Sequence, residues 1–114
     1  MKVHTQNHGQ VIVAQLSGEI DTIDTDGLGS TLQEIVAAAP AGVVLDFGQV
    51  SYIASVGIGL LLKLAQDLRK MKCPLVIANI TPQVRTVLDT VHLSSAIPMV
   101  ATVDEALTKI GTKK

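Results

Sequence analysis

Short apolar runs rich in β-branched residues alternate with stretches of helical period along this chain, and no other feature restricts its fold so much. Residues 11–16 (VIVAQL), 43–47 (VVLDF), 74–78 (PLVIA) and 97–100 read as strands, and residues 2–7 (KVHTQN) as a weaker one joined to the next through a turn at Gly9. Between them Leu28, Leu32, Ile35, Val36 and Ala39 recur at helical spacing up to Pro40. A second helix is expected over residues 55–71, a third carries Val84, Val87, Leu88 and Val91, and a last one follows Thr102. Thr102 and Glu105 have the spacing of a capping box. The order β-β-α-β-α-β-α-β-α predicts an α/β fold: a mixed, mostly parallel sheet with about four helices and one antiparallel pair at the start. At 114 residues there is room for a single domain over residues 1–114, with one core. Val43, Val44, Leu45, Leu75, Val76 and Ile77 are expected in adjacent central strands, with Leu61, Leu62 and Leu68 packed on them.

Charge narrows the function. The net charge is -1, and Phe47 and Tyr52 are the only aromatic residues, so neither a basic footprint nor a stacking platform for nucleic acid is present. Between Val3 and Leu62 stand six acids (Glu19, Asp21, Asp24, Asp26, Glu34 and Asp46) and no Lys or Arg; from Lys63 onward there are eight bases and four acids. Such asymmetry suits docking on a partner of complementary potential. With no apolar run of 18 residues, no signal-like start and the single cysteine Cys73, the chain reads as cytoplasmic, without a membrane span or disulfide. Cys73 has no histidine near it in sequence and is expected to be buried and inert.

Motifs for catalysis or cofactors are incomplete. Gly57-Ile58-Gly59 follows a strand and opens a helix, but Leu62 stands where a dinucleotide fingerprint needs its third glycine. These glycines fit a tight turn and close helix–sheet packing instead. Asp21, Asp24, Asp26 and Gly27 lack the intervals of a calcium loop. His4, His8 and His92 fall on separate elements, and no nucleophile has a base beside it in sequence. No enzyme activity, cofactor or metal is expected. In the second helix the apolar residues cover an arc of roughly 200°, wider than a one-sided helix requires. Extra burial or a docking surface accounts for the excess.

Four segments resemble STAS domains, in register along nearly the whole chain. Leu16-Ser17-Gly18-Glu19-Ile20-Asp21 resembles the L-S/T-G-x-L/I-D signature, and Val44-Leu45-Asp46-Phe47 with Val50-Ser51-Tyr52-Ile53 the family's third strand and lead-in. Ala54-Ser55-Val56-Gly57-Ile58-Gly59 falls where the family has Asp-Ser-Ser/Thr-Gly-Leu-Gly, and residues 84–93 are similar to the penultimate helix. The resemblance implies an anti-sigma factor antagonist. Such a protein binds an anti-sigma factor that is a serine kinase of GHKL ATPase fold, is released by phosphorylation, and is restored by a PP2C-type phosphatase. By position the phosphorylated serine is Ser55, and partner contact is implied around Asp21, Asp24, Ser51, Ala54, Ser55, Val56, Gly57 and Gly59. Ala54 stands where the family has Asp, and Val56 where it has a second Ser or Thr. Two other roles fit the family: the soluble STAS subunit of a lipid-transport ABC system, and a STAS module holding a nucleotide or small anion. The resemblance also leaves room for a weak homodimer.

Overall fold

The structure, a computed structural model, describes residues 2–20 and 25–110. Strands β1 (Lys2–His8) and β2 (Val11–Ile20) form an antiparallel hairpin in which His8 pairs with Val11. The two-residue connection starts at Gly9, whose φ of 66° is the positive value that a tight hairpin turn demands. Helix α1 (Thr25–Ala37) leads to β3 (Gly42–Ile53), α2 (Ser55–Lys70) to β4 (Leu75–Ala78), and α3 (Pro82–Thr90) with a 3-10 turn at Leu93–Ser95 to β5 (Met99–Val100). Helix α4 (Val103–Ile110) follows. The sheet order is β1-β2-β3-β4-β5, parallel from β2 onward, so the expected element order and mixed sheet hold.

Sequential order with right-handed crossovers puts α1, α2 and α3 on one face of the sheet. There Leu32, Leu61, Leu68 and Leu88 bury against Leu45, Phe47 and Ile77. The opposite face carries a smaller core in which Ala106 of α4 meets Val11, Val13, Val44 and Val76. Val43, Val44 and Leu45 pair with Leu75, Val76 and Ile77, as the pattern requires. Thr102 Oγ1 accepts from the Glu105 N–H at 3.1 Å, while the Glu105 carboxylate accepts from Ala101 N–H at 3.4 Å, one residue before the donor of an ideal box.

Three expectations are corrected. Strand β3 does not stop at Phe47 but continues to Ile53, because two irregularities in its register with β2 each insert a residue and carry it past Gly48. Ala39 and Val91 are not on buried helix stripes. α1 ends at Ala37, since Pro40 disfavours helical backbone at Ala39, which takes φ 49°; Val91 lies beyond the end of α3 and is exposed. Leu62 is not a core residue: α2 buries Gly57, Ile58, Leu61, Leu64, Ala65 and Leu68, a stripe that leaves Leu62 about 100° round the helix from Leu61, facing out.

Candidate functional site at the start of the second helix

Ser55 is the first residue of α2, immediately after the sheet ends. β2 and β3 finish together at the Ile20–Ile53 pair, and Ala54 N–H donates to Ile20 O at 2.7 Å. Ala54 is the N-cap, with extended backbone (φ -92°, ψ 167°) and no side chain able to cap. The first helical bond is Ile58 N–H to Ala54 O, at 3.1 Å. The N–H groups of Ser55, Val56 and Gly57 thus point out of an uncapped, partly positive helix end that has no acid in its first turn. Ser55 is exposed there, one position inside the helix rather than acting as its cap.

The two glycines differ. Neither has the positive φ that a special turn would need. Gly57 is buried, and a Cβ there would lie 2.5 Å from Ile20 Cγ2 and 3.0 Å from Ile53 Cγ1, so glycine lets the helix start sit hard against the strand ends. Gly59 is exposed, and a Cβ on it would meet nothing within 4 Å. Packing within the domain gives no reason for glycine there, and in an exposed helix interior it costs about 1 kcal/mol relative to alanine.

Beside Ser55 the helix exposes apolar side chains at Val56 and Leu62, whereas Tyr52, one residue before the buried Ile53 in β3, faces the other side of the sheet, opposite Glu19. Tyr52 is 50% exposed, Val56 40% and Leu62 38%, three of the five large exposed apolar residues among those described. Ser55, Gly59 and Leu62 follow one another at i, i+4 and i+7 on the outward face of α2. The wide apolar arc of this helix therefore has two explanations. Leu60 turns towards α1, near Gly29, while Leu62 is left to solvent. Leu62 was not among the site residues expected from sequence, and the excess arc was its signal.

Ser51, Ala54, Ser55, Val56, Gly57 and Gly59 thus fall at one end of the sheet, with Gly57 buried and Ala54 half-buried. Asp21 and Asp24 lie outside the described residues, although the strand that runs into them ends at Ile20, bonded to Ala54. Among the described residues no group of three His, Cys, Asp or Glu could hold a metal ion, and no helix is long and apolar enough to cross a membrane. Asp46 has a structural task, its Oδ1 accepting from Gly48 N–H at 2.9 Å and from Asn79 Nδ2 at 3.2 Å. Cys73 is buried, and desolvation pushes its thiol pKa up, away from the reactive thiolate.

Comparison with known proteins agrees with this geometry. The sequence model of the STAS domain matches residues 2–106. BtrV of Bordetella bronchiseptica, which carries the name of an anti-sigma factor antagonist, is 29% identical over 99 residues, covering 87% of this chain and 85% of its own. The crystal structure of an anti-sigma factor antagonist from Mycobacterium paratuberculosis superposes with a TM-score of 0.87 at 28% identity, over 97% of this chain and 94% of that one. A Thermotoga maritima protein of the same architecture reaches a TM-score of 0.88 at only 13% identity, over 96% and 95%, a likeness of fold alone.

Proposed function

This chain belongs to the STAS domain family, and on that footing we propose that it is an anti-sigma factor antagonist whose binding is switched by phosphorylation of Ser55. It works by docking and not by catalysis. The observation that carries this reading is the setting of Ser55: an exposed hydroxyl on an uncapped helix start, with the apolar side chains of Val56 and Leu62 exposed on the same helix. The names of the relatives point the same way.

The two properties work together. An apolar patch binds a partner by being desolvated. A phosphate on Ser55 brings a charge of about -1.5 to -2, which the free N–H groups and helix dipole of α2 can accept within the domain. A partner seated on Val56 and Leu62 would have to bury or displace that charge. A penalty of about 3 kcal/mol lowers affinity roughly a hundredfold, enough to exchange partners. Ala54 fits the switch: an aspartate there would occupy the helix start and repel the phosphate, whereas alanine leaves the N–H groups free. The partner is then an anti-sigma factor with serine kinase activity and a GHKL ATPase fold, opposed by a PP2C-type phosphatase, all in the cytoplasm.

The test is to incubate the protein and ATP with the GHKL-type kinases of the same genome, and to map phosphate by mass spectrometry. Phosphate on Ser55, loss of binding in Ser55→Asp and a Ser55→Ala complex that ATP cannot release are expected. Phosphate only elsewhere, or full release of Ser55→Ala by ATP, would overturn the switch. A complex indifferent to both substitutions would indicate a constitutive subunit instead.

A further inference from the structure

At the far end of α2, roughly 20 Å along the helix axis from Ser55, the structure has a cavity of about 600 Å³. Its floor is apolar. Leu75 and Val76 at the start of β4, Cys73 and Ala65 are all buried there, and Pro98 and Ile110 close the sides. Its rim is basic. Arg69 comes from the last turn of α2, Lys72 from the turn that follows, and Lys109 from the last turn of α4. The three cations come from separate elements and are exposed, and no acid among the described residues lines the cavity.

Cations near helix C-termini complement the carbonyl ends, which accounts for some positive charge here. The end of α2 is already served by the backbone, however: Cys73 N–H donates to Leu68 O at 2.9 Å and Lys72 N–H to Arg69 O at 3.0 Å. Elsewhere among the described residues Lys63 pairs with Asp67 at 3.1 Å and Arg85 with Asp89 at 3.7 Å, while Lys70, exposed at the end of α2, stands alone and outside the cavity. Arg69, Lys72 and Lys109 have no ion-pair partner among the described residues. Three unpaired like charges around one concavity repel each other, and an anion seated between them removes that repulsion. The cavity is within the size range of small-molecule sites, which combine an apolar lining with a few oriented polar groups.

We propose that this cavity binds a soluble anionic amphiphile, with its carboxylate or phosphate head between Arg69, Lys72 and Lys109 and its aliphatic body on Leu75, Val76 and Ile110. Neither aromatic residue of the chain lines the cavity, so a nucleobase has no ring to stack on, and an aliphatic body suits the floor better. A concavity walled by α2, β4 and α4 takes up a single molecule, whereas a bilayer needs a flat basic face. Ligands of open α/β sheets usually sit at the carboxyl ends of the strands; this one sits at the amino end of β4, away from the proposed antagonist surface.

The probe is octyl phosphate below its micellar concentration, titrated into isotopically labelled protein and followed by amide chemical shifts. Saturable shifts at Ala65, Cys73, Val76 and Ile110 are expected, with inorganic phosphate and neutral octyl glucoside each binding at least about tenfold more weakly. Arg69→Gln with Lys109→Gln should weaken octyl phosphate by a similar factor at an unchanged melting temperature. If that pair disturbs folding, Lys72→Gln alone should still weaken it several-fold. Ser55→Asp should leave the affinity as it is, whatever it does to partner binding. Equal binding of octyl glucoside, non-saturating shifts, or an affinity indifferent to the rim variants would overturn the site. So would attachment to anionic phospholipid vesicles, or binding of an acidic amphipathic peptide, in a protein that ignores octyl phosphate.

Discussion

Two glycines two residues apart should respond to alanine in opposite directions. At Gly57 the new Cβ would lie 2.5 Å from Ile20 Cγ2 and 3.0 Å from Ile53 Cγ1, the first at least 1 Å inside the usual contact of roughly 3.5–4.0 Å between carbons. Ile20 cannot swing clear, because its β-branched side chain is stiff at χ1 and its carbonyl is tied to Ala54 N–H. Ile53, its ladder partner, is equally buried. Overpacking of this kind costs about 1–3 kcal/mol, and the short contact puts Gly57→Ala at the upper end. Helix propensity returns about 1 kcal/mol, leaving a net loss of about 2 kcal/mol. At Gly59 there is no contact to set against the gain, so Gly59→Ala should stabilise by about 0.5–1 kcal/mol. In a domain of this size the two melting temperatures should differ by roughly 10 °C, with an unchanged denaturant m-value in both variants. Circular dichroism during thermal and urea unfolding reads this directly. If both variants move the same way, the packing of α2 on the ends of β2 and β3 is misread. If the proposed antagonist surface is the docking face, Gly59→Ala should also weaken partner binding, because the added methyl projects from that face.

Leu61→Ala should lose about 2–5 kcal/mol of stability, since Leu61 is wholly buried, while Leu62→Ala should lose well under 1 kcal/mol yet weaken partner binding; urea midpoints and calorimetric titration separate the two. Ala54→Asp supplies the missing cap of α2 and should stabilise the unphosphorylated domain by about 1 kcal/mol, while making phosphate on Ser55 harder to accommodate, as seen in melting before and after kinase treatment. For Cys73, burial raises the folded thiol pKa, so the unfolded thiol ionises first. Its contribution is complete below the ordinary thiol range and is lost as pH rises through the folded value; stability should therefore decline on the alkaline side, and Cys73→Val should flatten that decline.

The strand–helix alternation was legible because each of its signals is local. Hydrophobic period, turn glycines and caps gave the element order and the pairing of residues 43–45 with 75–77. The continuation of β3 was not. Its buried residues run Leu45, Phe47, Val50 and Ile53, and the two intervals of three break the period of two exactly where extra residues enter the strand. Leu62 was misassigned because an apolar arc does not say which of its edges faces the sheet; α1 and β3 decide that, and both are remote in sequence. Ser55 could be placed from its motif, and its helical start was expected. The outward-facing Val56 and Leu62 on the same helix became visible only with exposure. The basic cavity had no sequence signal, because residues 69, 72 and 109 meet only after α4 has packed on β4.

The order of the strands has a consequence for synthesis. After the opening hairpin, each strand from β3 onward pairs with the one made before it across an intervening helix, so the sheet can widen in the sequence in which a ribosome delivers it, at about 5–20 residues per second. Contacts between neighbouring units keep loop closure short and nucleation fast. The face shared by Val11, Val13, Val44 and Val76 is the exception, because its cover is α4, the last helix of the series. Until Val103–Ile110 has emerged, a nascent chain with an otherwise finished sheet shows that valine face to solvent. Eight residues at the end of the fold therefore determine whether the earlier hundred stay out of aggregates during translation.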